Sequence, residues 1–428
     1  MNTAPGSRFP TFASLAAVSL GLLAVALPAG VFVGLLQTAE ALEDPPGEAS
    51  AATISPPDVQ PNDDQQAEKL PREWATFRGG PLQQGLAGTT LPEQPTLAWR
   101  KPAPDGVTAT AAIVKGRVYV GTLGGRVWCL DLADGEELWT FENPLPENSY
   151  RPGFNAAPAV AFGLVVLGDE DGIVHAFDQT TGEEKWTHEA DGEIDAAAMP
   201  VTLAAGESFL VGSHGGSLVC LDAADGQPRW TYTVGDRISC STAIAAGRTF
   251  IAGCDGELHI VDIETGQRVG GLPLGSPTLA SPSLRAGRLF VATQAGAVQA
   301  IDLSPDGPEA IVGWAREFGG DIRSSTAVTD AVVIVGSRDK RLRALSLADG
   351  SDVWTTPARS RIDSSPVVAG DRVYFGSNDR TLYAADLATG EIVWEYKVAR
   401  GISASPALAE GHLVIGVEGP KGELLCFE

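Results

Sequence analysis

The chain has 428 residues, a formal net charge of −24 and 44% hydrophobic residues. This length is ample for a large buried core, and the acidic balance disfavours nucleic acids and anionic membrane surfaces as partners, because both are themselves negative. Five cysteines without a paired spacing exclude a disulfide framework.

The N-terminal segment predicts a membrane anchor. Residues 1–10 are a leader with one basic residue, Arg8, and residues 11–37 carry no charge. An apolar stretch of this length crosses a bilayer, which needs about 20 residues. A cleaved signal peptide is the alternative, since residues 38–41 offer small side chains at a cleavage site. With Arg8 in the cytoplasm, we expect a single-pass inner-membrane protein whose remaining chain lies on the periplasmic, extracytoplasmic side.

Two short segments follow the anchor. Residues 38–72 are rich in Pro, Asp, Glu, Gln and Ala and predict a disordered acidic linker, because they offer too little apolar surface to bury. Residues 73–96 begin with the spacing Trp-x-x-Phe-Arg-Gly. We expect this leader to pack on the next domain, with Trp74 and Phe77 as buried anchors.

The remaining residues, 97–428, are a repeat. In the stretch 382–394, one strand reaches Asp386, a turn closes at Gly390 and a second strand ends at Trp394. The corresponding repeat positions are spaced 40, 47, 44, 40, 44, 40 and 40 residues apart: Trp99, Trp139, Trp186, Trp230, Gly270 in place of Trp, Trp314, Trp354 and Trp394. This period is the size of one four-stranded propeller blade.

The number of units predicts how the ring closes. Seven units run from about Ala109 to Val398, and an eighth, Ser403 to Phe427, contains only three strands. The segment Leu97–Arg100 has the repeat Trp but no unit before it, so we expect it to supply the missing outer strand. The predicted fold is all-β, an eight-bladed β-propeller closed by an N-terminal strand. Truncation at the C-terminus should then destabilise the ring far more than truncation before residue 90.

The seven repeat tryptophans have a structural explanation. One large indole per blade, at a fixed position, suits a wedge between neighbouring blades. We therefore assign Trp99, Trp139, Trp186, Trp230, Trp314, Trp354 and Trp394 to the blade boundaries. Gly270 leaves its position empty, and the boundary between the fourth and fifth blades should exchange its amide hydrogens earliest.

The pattern Leu-x-Ala-Leu-Asp-x-x-Thr-Gly-x-x-x-Trp resembles the repeat of pyrroloquinoline-quinone (PQQ) type propellers. This superfamily includes quinoprotein alcohol dehydrogenases and the non-enzymatic outer-membrane assembly lipoprotein BamB. The resemblance covers residues 97–428 and implies the fold, whereas function depends on sites grafted onto it. No Cys precedes Cys129, so the lipid-attachment motif of BamB-type lipoproteins is missing.

The same resemblance bears on cofactors. The family's dehydrogenases stack the quinone against a ring of two adjacent cysteines and use calcium and an Asp base. This sequence has no Cys-Cys pair, so we expect neither PQQ nor calcium and no catalytic residues. A second class of PQQ enzyme lacks the pair, which keeps an oxidoreductase relative as an alternative.

Other chemical sites are weakly indicated. No two histidines have metal-ligand spacing, and residues 169–172 fit an acidic hairpin tip better than a calcium loop. Cys240 and Cys254 lie across one hairpin, which leaves a disulfide between them as the less favoured alternative.

The charged loops that lead into the blades are the candidate interaction surface. Mixed charges around a funnel suit a peptide or polar ligand, although they could equally neutralise one another as a solvated rim. The long loop 144–154 adds aromatic and arginine side chains of the kind found in interface hot spots. The candidate residues are Tyr150, Arg151, Phe154, Asp195, Arg237, Asp321, Arg323, Arg361, Asp363 and Arg400.

These observations favour a non-catalytic, membrane-anchored scaffold that binds envelope proteins, similar to BamB, and no nucleic acid. The alternatives are a PQQ-binding oxidoreductase relative and an extracytoplasmic sensor or polysaccharide-binding module.

Overall fold

The computed structural model describes residue 70 and residues 72–145, 150–305 and 307–428. This part of the chain forms 33 strands and one single-turn 3-10 helix, Phe77–Gly79, and contains no α-helix. The strands pair into eight sheets, which are the eight predicted blades, and all their pairings are antiparallel except that of one short added strand, Leu86–Ala87. The all-β eight-bladed propeller is therefore confirmed.

The first four blades each use four consecutive strands. Blade 1 contains β3 (Ala112–Val114), β4 (Arg117–Gly121), β5 (Arg126–Asp131) and β6 (Glu137–Glu142). Blade 2 contains β7 (Ala159–Ala161), β8 (Leu164–Gly168), β9 (Ile173–Asp178) and β10 (Glu184–Glu189). Blade 3 contains β11 (Met199–Leu203), β12 (Gly206–Gly212), β13 (Ser217–Asp222) and β14 (Pro228–Thr233). Blade 4 contains β15 (Ala243–Ala245), β16 (Arg248–Ala252), β17 (Glu257–Asp262) and β18 (Arg268–Pro273).

The last four blades include two strands from the N-terminal side. Blade 5 contains β19 (Ser283–Arg285), β20 (Arg288–Ala292), β21 (Ala297–Leu303) and β22 (Ala310–Glu317). Blade 6 contains β23 (Ala327–Val328), β24 (Val332–Ser337), β25 (Arg341–Ser346) and β26 (Asp352–Pro357). Blade 7 contains β27 (Val367–Ala369), β28 (Arg372–Ser377), β29 (Thr381–Asp386), β30 (Ile392–Lys397) and the added β1 (Leu86–Ala87). Blade 8 contains β31 (Ala407–Ala409), β32 (His412–Gly416), β33 (Gly422–Phe427) and β2 (Leu97–Ala103).

The ring closes through β2, as the repeat count predicts. This strand pairs antiparallel with β33, with Trp99 opposite Cys426 and Ala103 opposite Gly422. The outer strand of blade 8 thus comes from the N-terminal side and the three inner strands from the C-terminal end. Both ends of the repeat region share one sheet, so neither leaves an open edge inside the blade.

Six of the seven repeat tryptophans join their blade to the next one through the indole N–H. The indole Nε1 of Trp139 donates to Gln179 O of blade 2 at 3.3 Å, and the other pairs follow the same geometry at 2.8–3.1 Å: Trp99 to Leu132, Trp186 to Ala223, Trp230 to Ile263, Trp314 to Leu347 and Trp354 to Leu387. The indole covers the Asp-to-Gly turn of the next blade. A Cβ on Gly182 (φ +72°) would lie 2.5 Å from the ring of Trp139, so the motif needs glycine at that turn.

The empty position at Gly270 is filled from the neighbouring blade. Pro308 lies over Gly270, and its carbonyl oxygen occupies the place where a Cβ would be. The Arg248 guanidinium fixes this loop by donating to Gly307 O at 2.7 Å and Ser304 O at 3.2 Å. The inserted loop of blade 5 therefore fills the space that the missing Trp leaves at this boundary.

Restoring the repeat residue at this boundary should destabilise the protein. We expect Gly270→Trp to lower the free energy of unfolding by about 1–3 kcal/mol, because the indole must displace backbone rather than enter a void. Chemical denaturation measures the change. The matched control is Gly319→Ala, where nothing lies within 4 Å of an added Cβ and little change is expected. A stability gain for Gly270→Trp would show that the position is a cavity.

The predicted membrane anchor cannot be placed in this fold. Residues 1–10, residues 11–37 and all but Leu70 and Arg72 of the predicted linker lie outside the described residues. In the part of the chain that is described, no helix has the length and hydropathy needed to cross a bilayer. The anchor, its orientation and the cleaved alternative remain predictions.

Candidate functional site

The two faces of the ring differ in the loops they carry. Because the strands of a blade alternate in direction, one face receives the loops that lead into each first strand and the hairpins between second and third strands. We call this the mouth face. The opposite face carries the other two hairpins of each blade, including the Asp-to-Gly turns under the tryptophans. The charged candidate residues belong to the mouth face.

The leader closes the central channel at the end away from the mouth. Its backbone accepts hydrogen bonds from the first strands of blades 2, 4, 5, 6 and 7: Ala75 O from Val160 N, Pro81 O from Ile244 N, Leu82 O from Leu284 N, Gln84 O from Val328 N and Gly85 O from Val368 N, at 2.8–2.9 Å. Trp74 pairs with Ile113 of blade 1. The leader therefore crosses the ring and ties most blades together, so truncation before residue 90 should also destabilise the protein.

A buried arginine anchors the leader. Arg78 is 1% exposed, and its guanidinium donates to Pro366 O and Thr326 O, both at 2.7 Å. Burial lowers its pKa to about 9. Phe77, expected as a buried anchor, is only partly buried and faces the channel. The buried anchors are thus Trp74 and Arg78, and Phe77 forms the floor of a cup.

The wall of this cup is a ring of serine hydroxyls. In blades 3 to 7, a backbone N–H of the loop that leads into the first strand donates to a serine Oγ of the next blade at 2.9–3.0 Å: Ala197 to Ser241, Ser241 to Ser281, Ser281 to Ser325, Ser325 to Ser365 and Ser365 to Ser405. These serines repeat at 40, 44, 40 and 40 residues, a signal that was readable beside the tryptophans. The cup encloses about 180 Å³ and opens toward the mouth.

The predicted charged residues meet around the opening, but largely in pairs. Asp363 accepts from Arg338 at 2.7 and 3.1 Å and lies 3.0 Å from the Arg361 Nε. Arg323 donates to Asp321 at 3.0 Å. Asp195, Arg323 and Asp363 line the cup itself. The structure therefore joins the predicted rim residues of blades 6 and 7 in a network of ion pairs. This network also contains Arg338, which the sequence did not single out.

The other predicted residues lie further out. Arg237 is exposed beside Asp236, and the Arg400 Nε donates to Pro420 O at 3.3 Å. Tyr150 is 57% exposed and bonds to Glu170, while Arg151 lies 3.2 Å from Glu142. Phe154 is fully buried, so it supports the loop and offers no surface to a partner.

A histidine between two carboxylates also lies at the mouth. The His214 Nδ1 lies 3.2 Å from Glu193 and its Nε2 lies 3.1 Å from Asp195. The Ser239 hydroxyl is 3.1 Å from the same Nε2. The hydrogen bond to Asp195, with the charges of both carboxylates, raises the pKa of His214 against burial and Arg237. Glu193, Asp195 and His214 have the donor atoms for a metal ion. Each ring nitrogen of His214 already faces a carboxylate, however, so a protonated imidazole can balance the cluster without a metal.

This histidine should make stability depend on pH. Because the pKa of His214 is raised in the folded state, its contribution is present below the unfolded pKa of about 6.5 and is lost as pH rises through the folded value. We expect His214→Gln to destabilise the protein more at about pH 5 than at about pH 8, with a difference of at most about 1 kcal/mol because the imidazole is partly exposed to solvent. Thermal denaturation of both proteins across this range measures the difference.

His188 provides the control for that experiment. Burial lowers the pKa of His188, so protonation of this side chain destabilises the folded protein at low pH. We therefore expect His188→Gln to be more destabilising at about pH 8 than at about pH 5, the reverse of His214→Gln. The same pH dependence for both variants, or none for His214→Gln, would contradict the assigned role.

The cup is a poor match for a quinone held as in the dehydrogenases. PQQ is a planar tricarboxylate, yet Arg323 is the only cation among the described residues that line the cup, beside Asp195 and Asp363. The wall hydroxyls already accept backbone hydrogen bonds. All five cysteines are buried and free, which includes Cys240 and Cys254, and burial raises the pKa of Cys240 to about 12. The Glu193–Asp195–His214 group offers fewer oxygen ligands than calcium takes.

Comparison with known proteins agrees with this fold. The family model described as "Outer membrane protein assembly factor BamB" matches residues 89–304, 235–356 and 311–427. No curated protein matched the chain.

Three solved structures show the same architecture at low sequence identity. Quinohemoprotein alcohol dehydrogenase from Comamonas testosteroni is 15% identical, with 84% of this chain and 81% of that chain covered and a TM-score of 0.71. BamB from Moraxella catarrhalis is 18% identical, with 78% and 99% covered and a TM-score of 0.63. The computationally designed Ika8 protein is 16% identical, with 76% and 97% covered and a TM-score of 0.63. These likenesses concern the fold, whereas the family model spans most of the chain, and the protein therefore belongs to the family described as outer membrane protein assembly factor BamB.

Proposed function

We propose that this protein is a non-catalytic scaffold that binds envelope proteins through the mouth face of its propeller. The observation that carries the proposal is the contrast at the ring centre. The cup is closed by the chain's own leader and its hydroxyls are bonded to the neighbouring blades, whereas charged side chains surround the opening on a rigid frame. Such a frame suits the binding of another protein better than the holding of a cofactor.

The proposal includes a location. We place the propeller on the periplasmic side of the inner membrane, held there by residues 11–37, which satisfy the length and hydropathy of a membrane anchor. Its partners are then envelope proteins. The family description of an outer-membrane assembly factor supports a role in handling such proteins.

Affinity purification of the full chain from detergent-solubilised envelopes tests the scaffold. We expect specific partners to be recovered with the unmodified protein, and fewer with Tyr150→Ala plus Arg151→Ala, which change the loop beside the mouth. Recovery of no partner, together with normal growth of cells carrying these two substitutions, would count against the proposal.

A PQQ-binding oxidoreductase relative is the second candidate. Its support is the TM-score of 0.71 to a quinohemoprotein alcohol dehydrogenase, and the donor chemistry of the cup argues against it. Titration of the full chain with PQQ and calcium distinguishes the two candidates. Saturable binding raises the melting temperature, because a ligand at 100 times its Kd stabilises the folded protein by about 2.7 kcal/mol. The scaffold proposal predicts no shift, and a saturable shift would revive the enzyme.

A further inference from the structure

One turn position on the mouth face is occupied differently around the ring. In blades 1–5 the hairpin between second and third strands ends in a glycine with positive φ: Gly125, Gly172, Gly216, Gly256 and Gly296, at 73–89°. Blades 6 and 7 place Lys340 and Arg380 there, both at φ 70°. The turn is otherwise unchanged, since each N–H still donates to the carbonyl three residues earlier, at 3.2 Å for Lys340 and 3.1 Å for Arg380.

The two cations occupy a conformation that disfavours side chains. The left-handed region brings a Cβ close to the following carbonyl oxygen, so glycine is the residue that adopts it without strain. Five other blades use glycine for the same turn, which means that the turn itself requires no side chain. Both side chains are exposed, and neither forms an ion pair with any described residue. Neither the turn nor an internal contact therefore explains why these two positions hold cations.

These residues belong to a wider basic sector of the mouth, which we call the basic crescent. Blade 8 adds Lys421, again at positive φ (72°). Three exposed arginines complete the crescent, so that its members are Lys340, Arg359, Arg361, Arg380, Arg400 and Lys421. All lie on the loops of blades 6, 7 and 8, in a chain whose net charge is −24.

Three carboxylates of this sector bind side chains of their own blades or of the neighbouring blade. Asp339 binds the buried Arg343 at 3.0 Å, and Asp379 accepts from the Tyr383 hydroxyl at 2.9 Å. Asp363 is held by Arg338. Within the crescent, Arg361 is paired with Asp363 at 3.0 Å and Arg359 with Glu395 at 3.6 Å. Lys340, Arg380 and Lys421 are exposed and form no ion pair with a described residue.

We propose that the basic crescent is a docking site for an acidic segment of a protein partner, an inference that rests on the proposed scaffold function. A short Asp- and Glu-rich segment can contact the crescent alone. A long nucleic acid or an anionic membrane would extend beyond it and meet the acidic remainder of the protein, since charges act over about 8–10 Å at physiological salt. The acidic mouth residues of blades 2 and 3, Glu170, Glu193 and Asp195, bound the site on the far side of the opening.

The test uses the full chain and a fluorescent ten-residue peptide rich in Asp and Glu. We expect saturable binding that weakens with added salt, and about tenfold weaker binding for the double variant Lys340→Gly, Arg380→Gly, as expected for two exposed charge contacts. The glycines also relieve the strained turns, so the melting temperature should equal or exceed that of the unmodified chain. Loss of binding with retained stability separates a docking role from a structural one.

Lys115→Gly is the matched control. Lys115 is an exposed cation at φ 50° in a hairpin of the opposite face. Its substitution removes one positive charge, half of what the double variant removes, together with the same kind of turn strain, and peptide binding should be unchanged. Equal weakening by Lys115→Gly would show that only net charge matters and would overturn the proposal.

Three further outcomes would overturn the crescent: no peptide binding, equal binding of the isosteric Asn/Gln peptide, or tighter binding to an oligonucleotide or to phosphatidylglycerol vesicles. Failure of the scaffold function looks different. If peptide binding depends on Lys340 and Arg380 but no envelope protein is recovered with the full chain, the scaffold fails and the site stands. If partners are recovered equally with the double variant, the scaffold stands and the crescent does not.

Discussion

Deleting residues 422–428 should prevent the protein from folding as a closed ring. This deletion removes β33, which pairs with both β2 and β32. It also removes Leu424, Leu425, Cys426 and Phe427, all at 0% exposure. Burial of one such large apolar side chain contributes about 1.5–3 kcal/mol, so the loss approaches the whole stability of a typical domain, about 5–15 kcal/mol.

The effect can be read from circular dichroism and chemical denaturation of the full chain and the deletion. The control is removal of Glu428 alone, which is exposed and keeps β33 intact, and which should leave a cooperative transition close to that of the unmodified protein. A deletion of 422–428 that melts with the same midpoint would show that blade 8 does not close the ring.

Trp74→Ala should destabilise the protein by about 3–5 kcal/mol, the usual loss for a buried tryptophan. Trp74 is 1% exposed and its backbone pairs with Ile113 at 2.8 and 2.9 Å. The leader that it anchors contacts the first strands of most blades, so the substitution also loosens their inner edges. Urea denaturation measures the change in the free energy of unfolding.

Phe77→Ala is the comparison within the same leader. Phe77 is only partly buried at the floor of the cup, and its substitution should cost clearly less than that of Trp74. Equal losses would indicate that the leader packs without the specific anchoring described here, and a negligible loss for Trp74→Ala would show that the leader does not hold the blades.

The fold was predictable because it repeats. The spacing of the tryptophans gives the blade count, and Trp99 without a preceding unit gives the closure. In every blade the ladder between third and outer strands shifts register beside the repeat position. The Asp-x-x-x-Gly turn can then be assigned as the surface that the indole of the preceding blade covers, since the turn and the Trp recur with the same period.

The parts that do not repeat were not predictable in the same way. Arg78 was not singled out from its motif, and it is buried because the channel provides two carbonyl oxygens as its partners. Gly270 was visible as an irregularity of the repeat, but its contact with Pro308 forms only because the two blades are adjacent. His214 meets Glu193 and Asp195 only because a hairpin of blade 3 lies beside the loop that leads into it.

The charged rim shows an intermediate case. The sequence located Asp321, Arg323, Arg361 and Asp363 on the mouth, but their mutual pairing depends on geometry. The positive φ of Lys340 and Arg380 could have been inferred by aligning the hairpins, because five blades have glycine there. In a repeat protein, a residue that departs from its repeat position can thus be recognised from the sequence as a candidate for a role outside the fold.

Site-specific photo-crosslinking in living cells tests the central claim most directly. A photoreactive amino acid is placed at Arg237 or Arg361 on the mouth face, and at Lys115 on the opposite face, in the full chain. We predict crosslinks to envelope proteins from the two mouth positions and none from Lys115. Crosslinks only from Lys115, or none from either mouth position at normal protein levels, would contradict a scaffold that acts through the mouth of its propeller.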